Sequence, residues 1–349
     1  MSERAAGDLP SLGSLGRPAR RAVVVSQESL VNSSSLLPGS SLPLLIEPAL
    51  EDVDLVGWAK NHLDQIEAYL DERGGILFRG FNLGGIDRFQ ELNQATSRTG
   101  LLEYSYRSTP RTQVQGKIYT STEYPAQQHI PLHNEMAYSR SWPLRITFFC
   151  VKNAERGGET PIADSRRVHE RIPREIREEF AARQVLYVRN YGQGLDLPWQ
   201  TVFQTESRED VERFCREHGI ELEWKDDGGL RTKQLCQAVA VHPRTGAPVW
   251  FNQAHLFHFS SLEPALRESL LRSFGEENLP RNACFGDGSP IDPAALAEIR
   301  RAYQEETVAF PWQEGDVLLL DNMLTAHGRA PFEGERKILV GMSDESSAA

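Results

Sequence analysis

The last part of the chain most restricts its fold. The stretch GDVLLLDNMLTAHGRAPFEGERKILVGM, residues 315–342, is typical of an apolar strand, a polar loop and a second strand. Further strands are predicted in 75–81, 141–154, 157–164, 184–192, 235–243 and 247–253, and helices in 50–75, 166–183, 261–274 and 293–306. Because these strands and helices do not alternate regularly, the pattern argues against a doubly wound parallel sheet. It favours a mainly β fold with helical insertions, built on a closed or sandwiched β core.

Composition limits the function classes. The formal net charge is 38 − 49 = −11, so the chain is poorly suited to hold a nucleic-acid backbone. No apolar run approaches the roughly 18–20 residues that span a bilayer, and the N-terminus lacks an apolar segment followed by a small-residue cleavage site. We therefore expect a cytoplasmic protein without a nucleic-acid or membrane partner. Residues 1–22, rich in Ser, Gly, Arg and Pro, are predicted to be a flexible arm.

The four cysteines give no sign of a zinc ribbon or a redox pair. Cys150, Cys215, Cys236 and Cys284 are widely spaced, and no C-x-x-C motif occurs. Cys150 and Cys236 lie in apolar strand-like runs, so we expect small core residues there. Scattered single cysteines also fit a reduced compartment.

One short motif carries possible metal chemistry. PLHNEMAY, residues 131–138, contains His133 and Glu135 two positions apart. With 9 His and 49 Asp+Glu, chance gives roughly one such match, and a second occurs at His62 and Asp64. The second match lies in a predicted helix, where residues i and i+2 point to opposite faces, whereas in a strand they share a face. The His133 match is therefore the better candidate.

A third ligand would complete the site. Two histidines and one carboxylate on one face suit non-haem Fe(II) oxygen chemistry. His327 follows a strongly apolar strand and precedes a glycine, which places it in a loop at the rim of a β core. A capping or surface histidine is the equally plausible alternative at this point.

Several ordered motifs resemble one known family. They are HNEMAY, RGGETPIADSRRV, VWFNQAHLFH and LLLDNMLTAHGRAPFEGERKILVGM, which fall in order between about residues 75 and 342. The chain resembles the taurine dioxygenase/TfdA-like Fe(II)/2-oxoglutarate oxygenases, and within them the SyrP-like branch linked to hydroxylation of amino acids and nonribosomal peptides. The resemblance implies a single double-stranded β-helix (jelly-roll, clavaminate synthase-like) domain over 23–345, with a helical insertion at about 165–305.

The resemblance also implies roles for individual residues. His133, Glu135 and His327 would bind Fe(II), while Thr160 and Arg336 would hold the distal carboxylate of 2-oxoglutarate. Arg329 is the alternative to Arg336. Halogenating members replace the carboxylate ligand with a small residue, so Glu135 favours hydroxylation. With O2, 2-oxoglutarate would be decarboxylated to succinate and CO2 while an unactivated C–H of the substrate is hydroxylated.

The substrate is less defined. The resemblance implies an amino acid in secondary metabolism, either free or presented by a peptidyl carrier protein. Candidate contacts are polar residues near the motifs: Gln128, Tyr138, Asn252, His255 and Arg329. Asn252 and His255 would equally serve to satisfy buried backbone groups in a turn.

Two broader questions stay open. The segment 190–235 is a candidate lid or mouth of the site, and the oligomeric state is undetermined. The alternative function is a non-catalytic or zinc-holding β-core protein that binds a small molecule or a carrier protein.

Overall fold

The computed structural model describes residues 30–103, 106, 109, 111–122, 124–192 and 196–348. The predicted arm at 1–22 lies outside the described residues. The strands are β1 Val31–Ser35, β2 Leu44–Pro48, β3 Gly75–Phe78, β4 Gln113–Gln115, β5 Ile118–Thr120, β6 Ile130–His133, β7 Ser141–Lys152, β8 Arg156–Gly157, β9 Ile162–Asp164, β10 Val185–Tyr191, β11 Ile220–Trp224, β12 Leu230–Cys236, β13 Val239–Val241, β14 Pro248–Trp250, β15 Arg281–Phe285, β16 Val317–Asp321, β17 Thr325–Arg329, β18 Phe332–Glu333 and β19 Lys337–Ser347. The helices are α1 Leu55–Asn61, α2 Leu63–Arg73, α3 Ile86–Ala95, α4 Ser165–Arg171, α5 Arg174–Arg183, α6 Trp199–Phe203, α7 Arg208–Glu217, α8 Ala254–Phe257, α9 Pro264–Phe274 and α10 Pro293–Glu305. Short 3-10 turns occupy Phe259–Ser261 and Glu276–Asn278.

Two sheets build the β core. The larger has eight strands in the order β1-β2-β3-β16-β7-β19-β5-β4, and the smaller has three in the order β6-β17-β9. Most neighbours are antiparallel, and β2 and β3 are parallel. One apolar cluster contains Phe148 of β7, Leu318 of β16 and Ile162 of β9, so it joins the larger sheet to the smaller one. The sheets therefore face each other across a shared core, as in a sandwich.

The apolar run of β16 explains why this strand is central. Val317 and Leu319 pack into the cluster that includes helices α1 to α3, while Leu318 and Leu320 pack into the cluster between the sheets. Successive side chains of a strand point to opposite faces. A strand buried on both faces needs apolar side chains on both, which matches the run from Val317 to Leu320; the buried Asp321 at its end accepts hydrogen bonds from the Met323 and Leu324 N–H groups.

The region between β9 and β16 carries most of the remaining helices. It contains α4 to α10 and a separate four-stranded antiparallel sheet in the order β11-β12-β10-β15. Helices α4 to α10 run from Ser165 to Glu305, within the predicted insertion at about 165–305. The limits of the whole domain, 23–345, stay a prediction. The candidate lid or mouth at 190–235 includes helix α7 and the strands β11 and β12 of this sheet. Its described residues are therefore largely regular structure and not one long loop.

The first predicted helix begins and ends at residues with clear local signals, but it is divided in two. Asp54 caps α1 by accepting from the Val56 N–H, and Gly74 ends α2 in the left-handed conformation. The predicted single helix over 50–75 is broken at His62, whose Nδ1 lies 2.7 Å from the Trp58 carbonyl oxygen. His62 therefore lies between the two helices, and Asp64 is in the first turn of α2.

Two positions near the C-terminus differ from the sequence prediction. His327 and Arg329 were expected in a loop, and both lie inside strand β17. The polar break predicted before them covers only Asn322–Leu324, because Thr325 already pairs with Asp164 of β9. Within the described ranges, no helix is both long and apolar enough to cross a membrane.

Candidate active site

Three side chains meet at the end of the smaller sheet. His133 ends β6 and is paired in register with His327 of β17, while Glu135 follows two residues after His133. One ligand atom from each of these residues lies within 4.8 Å of the other two, and the described residues contain no second group of this kind. The Nε2 of His327 is 3.9 Å from Oε2 of Glu135. Two imidazole nitrogens and one carboxylate oxygen in this arrangement fit the donor set of a non-haem Fe(II) site.

Both histidines are poised to bind a metal in their neutral form. The Nδ1 of His133 lies 2.8 Å from the Pro131 carbonyl oxygen, so this nitrogen carries the proton and Nε2 keeps its lone pair. Burial lowers the pKa of His133, and burial with the nearby His133 and Arg111 lowers the pKa of His327 well below the ordinary value. The Nδ1 of His327 is buried without a hydrogen-bond partner among the described atoms.

The turn that carries Glu135 is held by one asparagine. The Asn322 side-chain oxygen accepts from the Glu135 N–H at 2.7 Å, and its NH2 donates to the Glu135 carbonyl at 2.9 Å and to Pro143 at 2.8 Å. In return, the Asn134 side chain donates to the Asn322 carbonyl at 2.7 Å. Asn134 therefore points away from the metal position. Met136, next in sequence, has φ +57°, which bends the chain sharply after Glu135.

Gly328 lets the two ligand strands come together. A Cβ on this residue would lie 2.5 Å from the Ile130 carbonyl oxygen and 3.3 Å from the Leu132 nitrogen. Both are backbone atoms of the β6 segment, which cannot move aside as a side-chain tip can. The ladder between β6 and β17 also shifts register between His327 and Arg329.

A pocket beside the three candidate ligands contains the predicted 2-oxoglutarate residues. It measures about 370 Å³, including its open mouth, and Thr160, Arg336 and His133 are among its lining residues. The Arg336 Nη2 lies 3.4 Å from the Thr160 hydroxyl, and its Nε donates to the Gly158 carbonyl at 2.8 Å. The Trp312 indole donates to the same hydroxyl at 3.1 Å.

The charge of Arg336 is enclosed in this pocket. Burial, followed by the neighbouring Arg329, lowers the pKa of Arg336 to about 10. The guanidinium therefore stays charged at neutral pH, in surroundings that would favour a bound anion. A dicarboxylate with one end at the metal and the other at Arg336 fits this arrangement.

Arg329, the predicted alternative, makes different contacts. Its guanidinium donates to four carbonyls, those of Thr122, Tyr124, Pro125 and Gln128, at 2.7–3.2 Å. These bonds fasten the segment before β6 to β17. The Gln128 side chain is exposed, and a substrate contact for Gln128 or Arg329 stays a prediction.

Two other substrate candidates are buried near the metal motif. The Tyr138 hydroxyl donates to the Tyr106 carbonyl at 3.0 Å. The Asn252 NH2 donates to the Ala238 carbonyl at 2.8 Å, and its oxygen accepts from the Ala254 N–H at 3.0 Å. These contacts support the structural alternative for Asn252, and substrate contacts for both residues stay predictions.

His255 supports the metal motif from behind. Its Nε2 lies 3.1 Å from the Leu132 carbonyl oxygen, and its ring stacks on Tyr303 with a centroid distance of 4.7 Å. Burial lowers the pKa of His255 to about 3, so the ring is neutral at pH 7. The neighbouring Gln253 donates to the Asn134 carbonyl at 2.7 Å. A substrate role for His255 also stays a prediction.

Sequence reasoning missed two residues with direct contacts to Glu135. Asn322 holds its main chain, and Arg111 donates from Nη2 to its Oε2 at 2.5 Å. The Asp-Asn pair after an apolar strand was a visible signal for Asn322, whereas nothing in the local sequence distinguishes Arg111.

Comparisons with known proteins agree with this geometry. The profile described as "Taurine catabolism dioxygenase TauD, TfdA family" matches residues 38–343. The dapdiamide synthesis protein DdaC of Enterobacter agglomerans is 41% identical over 90% of this chain and 94% of its own. A clavaminate synthase-like protein of Arabidopsis thaliana is 33% identical over 87% and 91%.

A solved structure shows the same fold. PvcB of Pseudomonas aeruginosa superposes with a TM-score of 0.53 at 16% identity, over 91% of this chain and 93% of its own. The double-stranded β-helix core predicted from the sequence is thereby confirmed.

The chain belongs to the TauD/TfdA family of dioxygenases. It is a 2-oxoglutarate-dependent non-haem iron dioxygenase, with Fe(II), 2-oxoglutarate and O2 as its cofactors and co-substrate. The alternative of a non-catalytic or zinc-holding binding protein finds no support in this family membership. The assignment to the SyrP-like branch stays a prediction.

Proposed function

We propose that the protein hydroxylates an unactivated C–H of an amino acid, or of an aminoacyl group on a carrier protein, in secondary metabolism. In this proposal His133, Glu135 and His327 bind Fe(II), and Thr160 with Arg336 binds the distal carboxylate of 2-oxoglutarate. The observation that carries it is that His133 and His327 line the same pocket as Thr160 and Arg336, with Arg336 reaching Thr160 at 3.4 Å.

The iron and 2-oxoglutarate supply the oxidising chemistry, and the chain supplies position and a protected site. The paired strands β6 and β17 set the separation of the two histidines, and Asn322 sets the direction of Glu135. Arg336 suits a carboxylate because its planar fork presents parallel N–H donors. The Thr160 hydroxyl oxygen accepts from Trp312 and Arg336, which leaves its own O–H to donate to the ligand.

Glu135 supports hydroxylation as the outcome. Family members that halogenate carry a small residue at this position, and the carboxylate here fills the place that a halide would need. Glu135 is buried and fixed on both its main chain and its side chain. It therefore has little freedom to leave room for another ligand.

The substrate class draws support from the relatives. DdaC is named for dapdiamide synthesis, and PvcB is described as part of an isonitrile synthetic pathway. Both names concern biosynthesis. We therefore favour a biosynthetic substrate, and we keep a peptidyl carrier protein as a possible partner to be tested. A cytoplasmic location stays a prediction, supported by the four unpaired cysteines. The absence of a membrane or nucleic-acid partner also stays a prediction, and the oligomeric state is undetermined.

The first test is spectroscopic. Anaerobic addition of Fe(II) and 2-oxoglutarate to the apoprotein should give a visible metal-to-ligand charge-transfer band, and His133→Ala should abolish it. Succinate formation is then screened with free amino acids and with the same amino acids loaded on carrier proteins. The proposal fails if the wild type gives neither the band nor substrate-dependent succinate.

A further inference from the structure

Arg111 lies at the metal-facing oxygen of Glu135. Its Nη2 is 2.5 Å from Oε2 of Glu135, and each side chain is only 3% exposed. The same oxygen is the one 3.9 Å from Nε2 of His327. The guanidinium therefore contacts the carboxylate on the side where the three ligands converge.

The three arginines of the pocket have separate tasks. Arg336 is directed to Thr160 and the Gly158 carbonyl, and Arg329 is engaged by backbone carbonyls before β6. Arg111 is the arginine whose hydrogen bond reaches a proposed metal ligand. Its contact is thus tied to the iron carboxylate and not to the distal end of 2-oxoglutarate.

We infer that Arg111 is a positioning residue that clamps the iron-binding carboxylate of Glu135 and weakens its electron donation to the metal. This inference rests on the proposed function, because it takes Glu135 as an iron ligand. It adds a residue that neither the sequence motifs nor the family comparison assigns.

The clamp answers a specific need of glutamate. A glutamate side chain has one more rotatable bond than an aspartate, so its carboxylate has more orientations to lose. A carboxylate oxygen has lone pairs enough to accept a hydrogen bond and bind a metal together. The short, charge-assisted bond from Arg111 selects one orientation.

The permanent charge of Arg111 has an electronic effect as well. An arginine stays protonated at every working pH, and in a buried site its charge is only weakly screened. It draws electron density from Glu135, so the metal receives less. Removal of the charge should raise the energy of the iron d electrons and move the charge-transfer band to longer wavelength.

The test compares Arg111→Lys and Arg111→Gln with the wild type. In the anaerobic Fe(II)–2-oxoglutarate complex, R111Q should shift the band to longer wavelength, whereas R111K, which keeps the charge, should stay near the wild-type position. R111Q should also raise the Fe(II) dissociation constant about tenfold, because the loss of a fixed carboxylate orientation outweighs the stronger electron donation of the freed carboxylate. The metal-binding measurement requires no turnover.

Glu135→Asp provides a second background. The shorter aspartate draws its carboxylate away from Arg111, so R111Q should change Fe(II) affinity much less in E135D than in the wild type. A purely structural Arg111 would give the same change in both backgrounds. This comparison decides the question even where R111Q alone lowers stability.

Arg79 offers a matched control. It forms a bidentate pair with Asp316, at 3.0 and 2.6 Å, and Asp316 is 1% exposed. Arg79→Gln should lower stability without moving the band. The inference is overturned if the wild type shows the band and R111Q matches it in wavelength and Fe(II) affinity; the proposed function then stands. Absence of the band in the wild type would remove both.

Discussion

Asn322 holds the main chain of Glu135 from both sides, accepting from its N–H at 2.7 Å and donating to its carbonyl at 2.9 Å. One side chain thus fixes the peptide units on either side of a proposed metal ligand. Asn322 lies between β16 and β17, so the connection that leads into the strand of His327 also sets the position of Glu135.

We expect Asn322→Ala to weaken Fe(II) binding by roughly 10–100-fold, since it frees the turn around Glu135. Titration of the apoprotein with Fe(II) under anaerobic conditions measures the change. Asn93→Ala is the control, because Asn93 is also a fully buried amide but bonds to the Phe89 carbonyl in α3. Equal Fe(II) affinity in N322A and N93A would contradict this role.

We expect Gly328→Ala to lower the free energy of unfolding by about 2 kcal/mol and to weaken Fe(II) binding together, because the methyl group strikes the Ile130 carbonyl. Urea unfolding and Fe(II) titration measure the two effects. Gly57→Ala is the matched control, since its methyl meets the movable carboxylate of Asp54. Unchanged Fe(II) binding in a destabilised G328A would show that the close approach of β6 and β17 is not needed for metal binding.

We expect Arg336→Gln to raise the KM for 2-oxoglutarate by roughly 100-fold, because a charge-assisted bidentate contact contributes about 3 kcal/mol. Fe(II) affinity without 2-oxoglutarate should stay at the wild-type value, which distinguishes this variant from changes at the ligands. The KM of Arg336→Lys for 2-oxoglutarate should lie between those of the wild type and R336Q, because lysine keeps the charge and loses the planar fork. A wild-type KM in R336Q would show that Arg336 does not bind the distal carboxylate of 2-oxoglutarate.

Glu67 should make stability depend on acid pH. Its carboxylate meets Arg98, Arg145 and Arg244 at 2.6–3.1 Å. The hydrogen bond from Arg98, and then the bond and charge of Arg145, lower the pKa of Glu67 from 4.5 to about 2. A depressed pKa stabilises the folded state above the unfolded pKa, so this contribution is present above about pH 4.5 and is lost as the pH falls towards 2.

The measurement is the free energy of unfolding in urea at several pH values. Glu67→Gln should cost about 2 kcal/mol at pH 7, allowing for solvent screening, and the cost should shrink between pH 4.5 and 2. The exposed Glu51 provides a control, and Glu51→Gln should not reproduce the pH-dependent difference. A cost for E67Q that is constant with pH would show that packing, and not charge, is involved.

Local patterns predicted what local contacts determine. The run of β16 was visible because a strand buried on both faces is apolar along most of its length. The pair His133 and Glu135 was selected because residues i and i+2 of a strand share a face, but only His133 lies in β6, and Glu135 lies in the turn after it. His327 was found, but its strand was read as a loop, since a polar strand beside a metal lacks apolar alternation. Its β structure comes from pairing with β6 and β9.

Long-range contacts stayed hidden. Arg111 and Asn322 are 24 and 187 residues from Glu135, and no periodicity connects positions so distant. The candidates Asn252 and His255 were recognised as polar residues in an apolar setting. The sequence alone left open whether they bind a substrate or the backbone, and in the structure their side chains contact carbonyls.

The register of β6 against β17 has a consequence for how the enzyme acquires its metal. His133 and His327 are 327 − 133 = 194 residues apart in the chain, yet they are direct partners in the ladder. A metal bound to both would close a loop of that length, whose entropy must be lost before either histidine can meet the other. We therefore expect iron loading to follow folding of the core. An ion held by both histidines would fasten the two ends of that loop and raise the resistance of the whole domain to unfolding.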